Sequence, residues 1–170
     1  MARIRSHIFL FSLGMILLFA TACRTSTDKT AAMISPSAEL TPVDVVQLQL
    51  SALKEHGPSN ERISQVFEFA SPANKSATGP LERFATLFDG ALYSGMINHQ
   101  RAEILPAYVE NNLAVVPVAL IADDGTEWKY LFVLSRQQEE PYEDMWMTDA
   151  VQLESQPPQQ LPPAAPQRII

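Results

Sequence analysis

The sequence contains a single cysteine, so no intramolecular disulfide can form. The folded part must therefore depend on its hydrophobic core, and hydrophobic residues make up 46% of the chain, a share typical of globular proteins. Histidine is also scarce, with 3 in the whole chain. Without a cluster of cysteine and histidine residues we expect no structural zinc site, and the sequence predicts neither a metal nor a cofactor.

Basic residues are few: 12 Lys and Arg stand against 19 Asp and Glu, which gives a formal net charge of −7. Two of the positive charges, Arg3 and Arg5, lie in an N-terminal segment without acids, so removing that segment leaves about −9. Nucleic-acid phosphates require clusters of Lys and Arg, and anionic lipid head groups require a polybasic patch. The sequence also lacks a glycine-rich phosphate loop and a nucleophile elbow. We therefore expect no nucleic-acid partner.

One long hydrophobic run is present, at residues 8–19, and it follows the basic residues Arg3 and Arg5. The run is shorter than the roughly 20 residues that span a bilayer. A basic start, an apolar stretch and the small residues Ala20-Thr21-Ala22 follow the order of a secretory signal peptide. Residues 1–22 are therefore predicted to be a cleaved signal peptide of the general secretory route.

The segment Phe19-Ala20-Thr21-Ala22-Cys23 resembles a bacterial lipobox, although Ala20 stands where that motif usually has leucine. The resemblance implies lipidation of Cys23 and anchoring to a membrane, since several acyl chains bind effectively permanently. Ordinary signal peptidase would cut at the same bond and leave a free thiol. The prediction is an exported protein anchored in the cell envelope, at the periplasmic face or on the thylakoid lumen side, with residues 23–40 as a flexible tether.

The middle of the chain has helical patterns. Thr41-Pro42 is typical of a helix start, with threonine as N-cap and proline in the first turn. Apolar residues then recur at helical spacing. The pattern predicts helices over residues 41–57, 59–71 and 80–90, and a short helical turn over residues 93–96.

From residue 101 the period changes to that of strands. Strands are predicted over residues 101–109, 113–122, 128–134 and 145–153, with a hairpin turn at residues 123–126. Pro106 makes the first of these strands an edge strand or a broken one, and Pro117 indicates an edge or a bulge in the second. Helices followed by an antiparallel meander define the α+β class, with N-terminal helices packed on a curved sheet. The domain is predicted at residues 41–154, and the Pro- and Gln-rich residues 155–170 form a disordered tail.

Four segments carry a family resemblance: residues 67–74 (FEFASPAN), 78–84 (TGPLERF), 132–137 (FVLSRQ) and 146–151 (WMTDAV). They resemble the DUF4864 family, and the last two resemble its cyanobacterial and plant branch. The resemblance covers about residues 42–153. It implies an NTF2-like, cystatin-like α+β fold in which the sheet forms a cone, and it implies no activity.

Asp149 is the first candidate for chemistry. With regular alternation it faces the same side as Met147 and Val151, and a carboxylate against an apolar core needs a partner or a shifted pKa. NTF2-like enzymes such as ketosteroid isomerase use acids in such a cone as bases or donors. Alternatively, Asp149 forms an ion pair with Arg83 or Arg101, or lies at a solvated edge.

Further candidates are less specific. His99 is a possible general base, but a lone histidine without an orienting acid is more often a boundary residue, and Arg83 matters only if it points inward. The remaining candidates for ligand binding are Asn74, Tyr93, Arg101 and Trp146. Helix caps, turns and the core explain such residues equally well.

Three functional hypotheses follow, in order of preference. The first is a non-enzymatic lipoprotein that binds a protein partner or assists an assembly, which predicts a filled cone and an exposed apolar patch. The second is small-molecule binding in an open apolar cone. The third is an isomerase- or dehydratase-type enzyme built around Asp149, which predicts an open cone where Asp149 meets His99, a tyrosine hydroxyl or an arginine.

Overall fold

The computed structural model describes residues 33–55 and 61–155. Within them the chain forms four α-helices, two 3₁₀ helices and a five-stranded antiparallel sheet. The helices precede the strands along the chain, so the predicted α+β class is confirmed. The predicted signal peptide, Cys23 with the first part of the tether, and residues 156–170 of the tail lie outside the described residues.

Helix α1, Pro42–Lys54, begins as its sequence predicts. The Asp44 N–H donates to Thr41 Oγ1 at 3.2 Å, and the Thr41 N–H donates to the Asp44 carboxylate at 2.9 Å, so the two residues form a capping box. Pro42 occupies the first turn, where its missing N–H has no intrahelical acceptor. The face towards the sheet carries the fully buried residues Val45, Val46, Leu50 and Leu53. Val43, which the apolar spacing assigns to this face, is half-buried.

The rest of the helical layer is made of short pieces. They are α2, Glu61–Glu68, α3, Pro72–Thr78, α4, Leu81–Ala85, and the 3₁₀ helices Thr86–Asp89 and Ser94–Met96. The helix predicted over residues 80–90 is therefore split, and Gly90 ends it as expected. Helix α3 is not predicted by the apolar pattern because none of its residues is buried.

The sheet has the strand order β1-β3-β4-β5, and β2 pairs with β3 beyond the end of β1. The strands are β1, Arg101–Ile104, β2, Tyr108–Glu110, β3, Leu113–Ile121, β4, Glu127–Arg136, and β5, Trp146–Ser155. The predicted hairpin turn joins β3 to β4, with Gly125 at φ 82° and the Ala122 N–H donating to the Thr126 carbonyl at 2.9 Å. Glycine adopts this conformation without steric cost.

Pro117 does not lie at an edge, and the bulge that it predicts lies on the facing strand, where residues 105–107 oppose residues 116–117. Pro117 lies in β3, which is flanked by β1 and β2 on one side and by β4 on the other. Its carbonyl accepts from the Leu105 N–H at 2.9 Å, so its missing N–H would also face the β1–β2 side. That is where Pro106 interrupts the neighbouring strand, between Ile104 and Tyr108. The proline is tolerated in a central strand because it lies opposite this break.

The core lies between α1 and the inner face of the sheet. On β3 and β4 every second residue is buried, the pattern of a sheet with one covered face. Near β2 the sheet is left uncovered. Four large apolar residues, which we call the β2 corner, are exposed there: Leu105, Tyr108, Val109 and Leu113.

Candidate functional site

A cavity of about 340 Å³ lies beside α3, between the short helices and the inner face of β4 and β5. We call it the α3 cavity. Most of its wall is apolar, with Leu53, Val66, Phe84, Leu87, Phe88, Met96, Phe132 and Val151 among the lining residues. Ala73 and Ala77 of α3 are exposed and line its mouth. Its volume lies within the range of about 300–1,000 Å³ typical of small-molecule sites.

Asp149 lines this cavity, and a β-bulge places it there. On β5, Thr148 pairs with Leu134 and Ala150 pairs with Val133, so Asp149 is an extra residue without a partner on β4. The expectation of regular alternation around Asp149 is therefore wrong. A bulge bends the strand and re-aims side chains, and bulges are over-represented beside active sites.

The predicted ion pair of Asp149 with Arg83 or Arg101 is absent. Among the described residues, the three ion pairs are Arg62–Glu55, Arg101–Glu103 and Arg136–Asp144. Arg83 is exposed on α4 and does not line the cavity. Asp149 is half-buried, and no side chain in the described part of the chain neutralises its carboxylate.

Thr148, next to the bulge, joins three elements. Its N–H donates to the Phe69 carbonyl at 2.8 Å, and its carbonyl accepts from the Ser71 N–H at 2.9 Å. The Asn74 side-chain amide donates to the same carbonyl at 3.1 Å. Its hydroxyl donates to Gln49 Oε1 at 2.8 Å, and Gln49 Nε2 donates to the Val66 carbonyl at 3.2 Å. These bonds fix α1, α2 and α3 against the edge of β5.

Two tyrosines tie the loop before β1 to the sheet. The Tyr93 hydroxyl donates to the Val151 carbonyl at 3.2 Å and lines the cavity. The fully buried Tyr130 donates to the Leu92 carbonyl at 3.1 Å, and burial raises the pKa of its hydroxyl. Its ring stacks on Trp128, with centroids 5.9 Å apart. Both phenols thus act as hydrogen-bond donors to backbone carbonyls.

The structure separates the predicted candidates into two groups. Asp149, Asn74 and Tyr93 line the α3 cavity together, with Thr78, whose hydroxyl donates to the Asn74 carbonyl at 2.8 Å. His99, Arg83, Arg101 and Trp146 do not line it. Trp146 begins β5 and packs against the core, in agreement with the alternative that it is a core residue and not a ligand-binding one.

His99 lies at the junction between the helices and the sheet. It is buried, and its Nδ1 lies 2.8 Å from the Met96 carbonyl, which makes Nδ1 the protonated nitrogen. Burial lowers the pKa of His99, the hydrogen bond to Met96 opposes that effect, and the charge of Lys54 adds to it. The imidazole is held as a neutral structural group outside the cavity.

Two cavity residues escape sequence analysis. Gln49 and Thr148 are both buried and polar and join α1 to β5. Gln49 has a detectable pattern, because it is a polar residue on the apolar face of α1. Thr148 has no such pattern, because its role depends on the pairing of β5 with the distant segment around Ala70.

The described residues contain no group of three or more His, Cys, Asp and Glu side chains placed to hold a metal ion. They also contain no helix with the length and apolar character needed to cross a membrane. Cys23, the predicted lipidation site, lies outside them.

The fold and the site define a class: small α+β domains in which short helices leave a ligand-sized cavity on an open antiparallel sheet. The chain belongs to the DUF4864 family, a domain of unknown function, whose family model matches residues 37–161. The predicted membership in this family is thereby confirmed. No curated protein and no solved structure matches the chain.

Proposed function

We propose that this domain binds a small, largely apolar molecule in the α3 cavity. The observation that carries the proposal is the cavity itself, with about 340 Å³ of space, apolar walls and a few polar groups gathered around Asn74, Thr148 and Asp149. This is the usual composition of a small-molecule site. A domain that acted only through its surface would have no need for such a space beneath its helices.

The cavity changes the order of the three hypotheses. A filled cone would favour an interaction-only module, and an open apolar space favours binding of a small molecule. Catalysis at Asp149 finds less support, because general acid–base chemistry needs a second group within reach of the substrate. His99 and Arg83 do not line the cavity, and the Tyr93 hydroxyl is committed to the Val151 carbonyl.

The test is binding of a neutral apolar fluorophore, N-phenyl-1-naphthylamine, to the exported chain carrying Cys23→Ser. We expect saturable fluorescence enhancement at one site. Ala77→Leu fills the mouth of the cavity and should weaken binding by roughly tenfold or more. Ser76→Leu is the matched control, since Ser76 is exposed on the same helix and does not line the cavity. Equal affinity in Ala77→Leu and the unsubstituted chain would contradict the proposal.

The proposal includes the location. We infer that the protein is exported and held at a membrane surface by acyl chains on Cys23, because that cysteine directly follows a signal-peptide pattern. Mass spectrometry of the mature N-terminus tests this. A diacylated or triacylated Cys23 supports it, and an unmodified thiol shows processing by ordinary signal peptidase instead.

A protein partner is the second candidate function, and the β2 corner favours it. Tyr108, on the short edge strand β2, is 74% exposed, and Leu113, at the start of the neighbouring β3, is 58% exposed. Clustered apolar groups of this kind mark interaction sites. A photo-crosslinker at position 108 should capture a defined partner in cells, and one at the exposed position 139 should not.

A further inference from the structure

The hydroxyl groups that line the α3 cavity all donate hydrogen bonds to other groups of the protein. Tyr93 donates to the Val151 carbonyl, Thr148 to Gln49 Oε1, and Thr78 to the Asn74 carbonyl. Each hydroxyl therefore offers a ligand only its lone pairs. Towards a ligand, the hydroxyl oxygens of the cavity therefore act as hydrogen-bond acceptors.

The two amides add little donor capacity. Gln49 Nε2 donates to the Val66 carbonyl, and Asn74 Nδ2 donates to the Thr148 carbonyl. Each keeps one further N–H, and that of Gln49 belongs to a side chain that is buried. Asn74 thus supplies the one accessible neutral donor among these groups, against the oxygens of Asp149 and the hydroxyl oxygens of Thr78 and Tyr93, since Thr148 is as buried as Gln49.

Charge points in the same direction. Asp149 is the one acidic residue in the described lining of the cavity, and no Lys or Arg of the described residues lines it. The nearby ammonium of Lys75 is occupied elsewhere: it donates to the Glu68 carbonyl at 3.1 Å and lies 5.5 Å from the centroid of Phe67 and 5.3 Å from that of Tyr142. The described lining of the cavity thus carries one acid and no base, which disfavours anions and favours cations there.

The walls suit an organic cation. Phe84, Phe88 and Tyr93 form a row of rings, with centroid separations of 5.6 Å and 6.1 Å, and all three line the cavity. Aromatic faces attract ammonium groups and also pack against hydrocarbon. An apolar body with a positive head group would find a partner for both of its parts.

From these contacts we infer that the α3 cavity takes an amphipathic amine, with its hydrocarbon or aromatic body among the phenyl rings and its ammonium group on Asp149. The inference rests on the proposed function and names its ligand class. It excludes fatty acids and other carboxylates, whose head group would meet the Asp149 carboxylate.

The test compares three probes of the same size: phenylpropylamine, phenylpropanol and phenylpropanoate. Affinities are measured by calorimetry at pH 7 with the exported Cys23→Ser chain. We expect the amine to bind roughly tenfold more tightly than the alcohol and the carboxylate to bind most weakly, as an attraction of one half-buried charge requires. Asp149→Asn should abolish the preference for the amine. Glu143→Gln removes one exposed acid that does not line the cavity, and should leave the preference unchanged.

The outcomes separate the two proposals. If the alcohol or the carboxylate binds as well as the amine, the ligand class is wrong and the cavity remains a binding site. If none of the three probes nor the neutral fluorophore binds, the proposed function fails, and the ligand class fails with it. The comparison of the three probes in the unsubstituted cavity does not depend on the Asp149→Asn variant. Increasing salt should reduce the advantage of the amine there, and an advantage independent of salt would overturn the role of Asp149.

Discussion

The two halves of the helical layer differ in how they cover the sheet. Helix α1 is a single long helix whose buried residues Val45, Val46 and Leu50 fill the space above the strands. The other half consists of α3, α4 and two 3₁₀ helices, and beneath it lies a cavity of about 340 Å³. A helix with regular apolar spacing can form a continuous packed layer. Short helices with frequent turns leave gaps, and here the gap is the candidate site.

The largest difference between the halves should appear on leucine truncation. Leu50→Ala leaves a cavity in the packed half, and we expect it to cost about 3 kcal/mol of unfolding free energy. Leu87→Ala is the matched change in the open half, where Leu87 is half-buried and lines the existing cavity. We expect about 1 kcal/mol there. Urea denaturation measures both, and equal costs would show that the two halves are packed alike.

The hydrogen bond that joins α1 to β5 should make a smaller contribution than Leu50. Thr148→Val removes the donor to Gln49 Oε1 and leaves a buried oxygen without it, at an expected cost of about 1–2 kcal/mol. Gln49→Met removes the acceptor instead. If the bond is what couples α1 to β5, the double variant should cost clearly less than the sum of the single variants. Additive costs would mean that each residue acts through other contacts.

Helix α3 should depend on the glycine that ends it. Gly79 has φ 86° and ψ −164°, a region almost confined to glycine, and an added Cβ would lie 2.9 Å from Cδ of Arg83. We expect Gly79→Ala to cost about 1–3 kcal/mol and to weaken binding in the cavity. Gly125→Ala, also at positive φ but with nothing near its Cβ, should cost about 1 kcal/mol and leave binding unchanged. A loss of binding in both variants would argue against a local role for α3.

The smallest effect should be a pH dependence that comes from His99, at the junction between the helices and the sheet. The pKa of His99 is lowered from 6.5 in the folded protein, chiefly by burial. The unfolded chain therefore binds more protons as the pH falls through 6.5, and stability decreases in that direction. His99→Gln should flatten the decrease between pH 7 and pH 5, as followed by thermal unfolding. An identical pH profile for the two proteins would exclude His99 as its source.

The elements that the sequence predicts are those with local determinants. Thr41 and Asp44 are close in sequence and cap α1 by hydrogen bonds to each other. Gly125 allows the β3–β4 turn because glycine adopts a positive φ without steric cost. Helix α3 lacks buried residues and so has no apolar period to detect. The site is predicted only in part, because Asp149 and Asn74 meet through pairing between distant segments.

The bulge and the position of Pro117 escape prediction for the same reason. Alternation along β5 says nothing about its register with β4, so an unpaired Asp149 has the same local pattern as a paired one. Pro117 is acceptable because Pro106 breaks the strand opposite, a relation between two strands. The cavity is a volume between elements, and no single segment encodes it.

The bulge at Asp149 also means that the carboxylate is a one-residue insertion. A chain without residue 149 would still pair Thr148 with Leu134 and Ala150 with Val133, in alternation that is regular as far as Leu153, before the second shift of this ladder. The ladder on either side would keep its register, and the apolar walls would keep their residues. Deletion of one codon would then remove the charge on which the inferred ligand preference depends. The rest of the domain would still form the cavity. Ligand preference and fold could therefore change independently of each other.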